Sequence, residues 1–375
     1  MLKRTIRSFL KNLFFWQQNK RTIYVFIDQR KIANYPDYQE RCVFYLKDAF
    51  KVVPYRNNLH FLFCLLAFGP YRVIYTTLGI KKLLVSLYFF DVDYTVNPYD
   101  GWAWHSALRE INPVPDYEIQ ESKIRFVNYY HLLPKYEYSL ILGTGPSLIK
   151  ARQLTHLDCY KIACNTIVKD HKLWTQLKLH FLVAGDAIYH FGHNQYAASF
   201  RRDLKLCLKL HEVLFLYPAL YHPFIKVEFQ EFSHLLVPVP EGDSDQLNND
   251  LLNNFYLPVL GNVLNLLLLP LATSLTKKNY LLGFDGRAPQ DILFWSNSSD
   301  HSYAEHIPDI QKKHPRFFDY FIDNKNPFKY VNSVHGDVLD NNLTLLEKQG
   351  YEFIVLAPSY TNTFQKRYKA LFNLD

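Results

Sequence analysis

From Tyr138 onward the chain alternates short, almost wholly apolar segments with helical stretches, and no other feature restricts the fold as tightly. Tyr138–Gly143 (YSLILG), Lys161–Asn165 (KIACN), His180–Asp186 (HFLVAGD), Val213–Tyr217 (VLFLY), Asn279–Gly286 (NYLLGFDG) and Tyr351–Ser359 (YEFIVLAPS) read as strands, and Val227–Phe232 as a further one. Strands without a polar face need cover on both sides. Helices in the connections supply it, which predicts an α/β fold with a doubly wound, Rossmann-like, mostly parallel sheet. Gly261–Leu275 reads as a buried apolar helix kinked at Pro270, and His335–Gly350 as an amphipathic one.

The residues before this region have their own pattern. Thr22–Asp28 and Lys51–Tyr55 read as strands, Tyr38–Phe50 and Leu59–Phe68 as helices, and Val73–Thr77 and Leu83–Phe90 as apolar segments. The expected organisation is a basic amphipathic helix over 1–20, a small α/β region over 21–130, and a catalytic domain over 131–375. The aromatic-rich, aperiodic 287–330 segment is expected to act as a lid in that domain. In 1–20, Leu2, Ile6, Phe9, Leu10, Leu13 and Phe14 oppose Lys3, Arg4, Arg7 and Lys11. Such a face suits either the surface of an anionic inner membrane or packing on the protein itself.

Composition removes several classes. With 49% apolar and 21% charged residues the chain buries a core and is not disordered. The net charge of +7 suits anionic ligands, but no Lys/Arg block exceeds three residues, so no nucleic-acid stripe is expected. Five cysteines without a CxxC or Cys/His cluster indicate neither a zinc site nor a disulfide framework. The longest apolar runs fall short of the ~18 residues that span a bilayer. A cytoplasmic protein, peripheral on the inner membrane face, is the expected localisation.

In an open parallel sheet ligands bind at the carboxyl ends of the strands. Here those ends carry Gly143-Thr144-Gly145-Pro146-Ser147, Asn165, Asp186, Gly283-Phe284-Asp285-Gly286 and Pro358-Ser359. The GTGPS turn lets backbone approach a ligand, and Ser147 opens a helix whose N–H groups suit phosphate. It lacks the third glycine of the dinucleotide fingerprint, and Asn165 stands where an acidic residue would meet a ribose. A mononucleotide is the better expectation, with a plain strand-to-helix turn as the alternative. Asp91-Val-Asp93 is formally a metal-binding DxD, but a turn after a strand is the favoured reading. His335 opens a helix with the apolar stripe Leu339, Leu343, Leu346, where the dipole keeps an imidazole neutral and fit to accept a proton.

The order GTGPSL, ACN, an acidic strand end, an apolar helix opened by GNV, GFD, His and PS resembles that of the bacterial CMP-sialic-acid sialyltransferases of glycosyltransferase family 42. It also resembles the MptE-like proteins of surface-polysaccharide clusters. The resemblance spans about residues 138–369. It implies a GT-A-variant sheet and an inverting sugar transfer from a CMP-activated donor to a glycan acceptor, without cofactor or metal. By the same resemblance Gly143, Gly145, Pro146, Ser147, Asn165, Asp186, Gly261, Asp285, Pro358 and Ser359 would bind the nucleotide. His335 would be the general base, and Tyr303 and Arg287 would support the departing phosphate. Gly286-Arg287 stands where the family has Phe-Tyr, and Leu260 where it has Ser. An MptE-like diphosphokinase using ATP and Mg²⁺ and a non-catalytic carbohydrate-binding protein are the alternatives.

Overall fold

Among the described residues, two sheets organise the chain, and all strand pairs in both are parallel. The computed structural model describes residues 22–29, 37–57, 59–61, 63, 72–75, 90–288, 300–321, 336–372 and 374. The smaller sheet contains β1 (Ile23–Asp28), β2 (Phe50–Tyr55), β3 (Arg72–Tyr75) and β4 (Phe90–Asp91) in the order β2-β1-β3-β4. The larger contains β5 (Tyr138–Leu142), β6 (Tyr160–Cys164), β7 (Phe181–Val183), β8 (Leu214–Pro218), β9 (Leu236–Val239), β10 (Lys278–Leu282) and β11 (Glu352–Val355). Its order is β11-β10-β5-β6-β7-β8-β9. The expected α/β class with a parallel, Rossmann-like sheet holds. Every residue of β6, β7, β8 and β9 is buried, as strands covered on both faces require.

The chain runs outward from β5 to β9, then returns to the other side of β5 with β10 and β11. The β5/β10 boundary is therefore the topological switch, where a crevice forms at the carboxyl edge. In the smaller sheet the same reversal occurs at β1, which has β2 on one side and β3 on the other.

Several boundaries differ from those the sequence suggests. The helix Asp116–Leu132, expected in the N-terminal region, packs on β9: Ser122 Oγ donates to Pro238 O at 3.0 Å, Arg125 donates to Leu236 O, and Phe126 is wholly buried in the larger core. That core thus begins before residue 131. The expected strand Val227–Phe232 is instead the end of a helix, His222–Glu228, and a 3₁₀ turn, Gln230–Leu235. Pro223 in the first helical turn, where its missing N–H is not needed, favours that start. The apolar stretch after Gly261 opens with Asn262 in the left-handed region (φ 58°), passes through a wide π turn, Leu264–Leu268, and continues as the α-helix Leu269–Leu275. Pro270 falls at the start of the α portion, where the wider turn tolerates a missing donor.

The two sheets are joined through the helix Asp100–Ile111. Trp104 and Ala107 enter the small core beside Val25 and Tyr45, while Trp102 and Leu108 pack on the large one. At its first turn Asp100, wholly buried, accepts from Arg41 Nη1 at 3.2 Å and lies 2.9 Å from His314 Nδ1. Arg41 also donates to the Lys313 carbonyl. Within the 287–330 segment, the helices Ile307–Lys313 and Pro315–Phe321 are held at this junction, with Phe317 stacked on Trp102 and Asp309 accepting from the Gln195 N–H at 2.7 Å. Asp93 is buried, and its Oδ1 accepts from the Thr95 N–H and hydroxyl at 3.0 and 2.6 Å, so the DxD triplet builds a turn. No helix among the described residues is long and apolar enough to cross a membrane. His335 and residues 1–20 lie outside the described residues.

Candidate functional site

At the switch between β5 and β10 the two turns close on one another. Gly143 N–H donates to Leu282 O and Gly145 N–H to Gly283 O, each at 2.8 Å. Ser147 N–H donates to Asp285 Oδ1 at 3.1 Å, and its hydroxyl donates to Asp285 Oδ2 at 2.9 Å while accepting from the Gly283 N–H at 3.1 Å. The third turn joins them: Ser359 Oγ donates to Phe284 O at 2.7 Å, and Tyr360 N–H to Asp285 O at 2.7 Å. Pro358 is exposed beside it.

This geometry corrects the reading of GTGPS. A Cβ on Gly143 would lie 2.4 Å from the Gly283 carbonyl oxygen, and one on Gly145 would lie 2.1 Å from Asp285 Oδ2. The glycines are demanded by the neighbouring turn, whose Gly283 (φ 82°) and Gly286 (φ 75°) hold left-handed backbone. Pro146–Leu154 is a 3₁₀ helix, and the N–H at its start that was expected to meet phosphate already meets the Asp285 carboxylate. A fixed internal anion occupies that place. Burial pushes the Asp285 carboxyl above its ordinary value against the pull of the Ser147 hydrogen bonds.

Further along the edge the polar groups are not consumed. Asn165, in the left-handed region (φ 53°), follows β6 directly, and its buried Oδ1 has no hydrogen-bond partner among the described residues. Asn265 sits in the π turn that packs on β6, wholly buried. Its N–H donates to Asn262 Oδ1 at 2.8 Å and its Oδ1 accepts from Asn342 at 3.1 Å, while its Nδ2 is buried without a partner among the described residues. An unmet buried amide atom costs roughly 1–3 kcal/mol, so these two, one acceptor and one donor, are candidate ligand contacts. Sequence reading passed over Asn265. Its signal was a single amide inside LNLLLLPLA, where every neighbour is apolar.

Asp186 ends β7. Its Oδ1 accepts from the Ile188 and Tyr189 N–H groups at 2.8 Å each, and its own N–H donates to His190 Nδ1 at 3.2 Å. Burial outweighs those two bonds and pushes its carboxyl up to about 6, a range suited to proton transfer near neutrality. Leu266 and Leu267 of the π turn lie beside Gly185, which places Asp186 and Asn265 along one stretch of the edge.

Tyr303 is not brought into this set as expected. Its buried hydroxyl donates to Asp203 Oδ2 at 2.7 Å, and burial with that carboxylate raises its pKa far beyond the phenol range. The adjoining residues brace the turn that carries Asn165: Thr166 donates to His301 O and Lys169 to Ser302 O. Arg287 is buried immediately after the Asp285 turn, and Gly261 is exposed ahead of Asn262. No family model, curated protein or solved structure matches this chain.

Proposed function

We propose that the chain is a metal-independent, inverting glycosyltransferase of a GT-A-variant type, moving a sialic-acid-like sugar from a CMP-activated donor to a glycan acceptor during bacterial surface-polysaccharide synthesis. The observation that carries the reading is the unmet pair Asn165 Oδ1 and Asn265 Nδ2 at the carboxyl edge. A cytosine offers an exocyclic amine for the first and ring acceptors for the second. Arg287 then neutralises the departing monophosphate by bidentate contact. The acceptor hydroxyl gives its proton to His335, the residue that the family resemblance assigns. Asp186, with its elevated carboxyl value, is the next base in line.

Calorimetry with CMP, AMP and ATP·Mg²⁺ tests the reading. CMP binds most tightly, and Asn165→Ala and Asn265→Leu each weaken it by about fivefold or more, one hydrogen bond apiece. His335→Ala lowers turnover by ~10²–10⁴ with CMP affinity unchanged. Preference for ATP·Mg²⁺ overturns the transferase reading. Full turnover in His335→Ala, together with its loss in Asp186→Asn, moves the base to Asp186.

A further inference from the structure

The smaller sheet has a carboxyl edge of its own, and a cavity opens there. It has a volume of about 390 Å³ and is lined by Gln29, Pro54, Arg56, Asn57 and His60. That size lies within the roughly 300–1,000 Å³ typical of small-molecule sites. Gln29 follows β1, the strand at which the chain reverses direction across this sheet, and Arg56 and Asn57 follow β2. The cavity therefore sits at the carboxyl ends of the neighbouring strands β1 and β2, the edge on which an open parallel sheet presents its loops to ligands, on the side of β1 away from β3.

Its walls are built of donors. The Gln29 N–H donates to Tyr55 O at 3.1 Å, which fixes the β1 exit against the β2 exit. The Arg56 N–H donates to His60 Nδ1 at 3.3 Å, so a neutral His60 ring carries its proton on Nε2. Asn57 Oδ1 accepts from the His60 N–H at 2.9 Å, which commits its oxygen and leaves its NH₂ as the available group. Arg56 adds a planar guanidinium fork that no carboxylate engages, since no carboxylate among the described residues lines the cavity. A guanidinium, an imidazole and two primary amides line one cavity with no carboxylate among its described lining, in a chain of net charge +7.

We infer that this cavity is a second ligand site, specific for a phosphate monoester and separate from the carboxyl edge of the seven-stranded sheet. A tetrahedral dianion satisfies the fork of Arg56 and the His60 donor together, whereas a neutral sugar leaves the guanidinium unmatched. The phosphate reaches the site on a soluble sugar phosphate or on a lipid headgroup, and the chemistry is the same in both.

The full chain is titrated calorimetrically with inorganic phosphate, glucose 1-phosphate and glucose, and its sedimentation is measured with vesicles containing phosphatidic acid or only phosphatidylcholine. Binding of phosphate and of either the sugar phosphate or the phosphatidic-acid vesicles, with glucose and phosphatidylcholine inert, is the expected result. The arm that responds identifies the carrier. Arg56→Gln and His60→Gln each weaken phosphate at least about tenfold, and CMP affinity stays at the parental value in both. Both positions are solvent-accessible, so an unchanged circular dichroism spectrum accompanies the loss. Failure of the parent chain to bind either phosphate ester, or parental phosphate affinity in Arg56→Gln/His60→Gln, overturns the inference whatever CMP does.

Discussion

At the β5/β10 switch of the seven-stranded sheet, backbone and side chains from three turns bond to one another, and an internal carboxylate, Asp285, takes the N–H of Ser147. At the carboxyl ends of β1 and β2 in the four-stranded sheet, Gln29, Arg56, Asn57 and His60 instead line a cavity with no acidic residue among its described lining. Both places are carboxyl ends of parallel strands. The difference lies in whether the chain supplies its own anion. Where it does, glycines are fixed by packing and the unmet polar atoms are those of Asn165 and Asn265 further along the edge; where it does not, the donors stay exposed.

The harshest way to break this contrast is Gly143→Ala. Its new methyl group would meet the Gly283 carbonyl oxygen at 2.4 Å, which is backbone and not the end of a flexible side chain, with the Phe284 ring at 3.1 Å. A loss of about 3 kcal/mol or more is expected in chemical denaturation, enough to lower the folded yield.

Asp186→Asn is expected to show the next largest effect, and its sign depends on pH. The folded value of about 6 exceeds the ordinary 3.8, so the folded chain holds this proton more tightly than the unfolded one. The stabilisation is complete below about pH 4 and is lost as pH rises through about 6. Asn keeps the oxygen that accepts from Ile188 and Tyr189, so the variant should gain on the parent by about 2–3 kcal/mol between pH 4 and pH 7. A stability difference that does not vary with pH would show that this carboxyl titrates normally.

Asn265→Leu separates function from stability. It removes an unmet buried Nδ2 but also the oxygen that accepts from Asn342, so the two effects offset and the unliganded chain should shift by no more than about 1 kcal/mol in melting experiments while CMP binding weakens. A folded chain with full CMP affinity would mean that the unmet amide serves no ligand. Arg56→Gln should be almost silent in stability, within about 0.5 kcal/mol, because the guanidinium is exposed and holds no carboxylate. A larger loss would make Arg56 part of the packing of β2 and close the contrast between the two edges.

The sheet itself was legible because apolar runs such as YSLIL, KIAC and LFLY carry their burial in their composition, and a parallel sheet is the arrangement that covers them. Asn165, Asp186 and Ser359 could likewise be found as small polar residues at strand ends. The occupancy of Ser147 could not, because its partner Asp285 lies 138 positions away and only the strand order makes them neighbours. The helix Asp116–Leu132 was assigned to the wrong region for a similar reason: its buried face is narrow, only Ser122 and Phe126, and nothing local says which sheet receives it. Tyr303 matched a motif, yet Asp203 claims its hydroxyl through a contact that no spacing rule anticipates.

The buried junction of Arg41, Asp100 and His314 also sets a timetable for the growing chain. Arg41 can find Asp100 once the first helices have emerged, but the carbonyl of Lys313 and the imidazole of His314 arrive more than two hundred residues later. At a synthesis rate of ~5–20 residues per second that interval is roughly 10–40 s. A small sheet that forms in that interval does so with its junction incomplete, and the seam is sealed only when the last quarter of the sequence arrives.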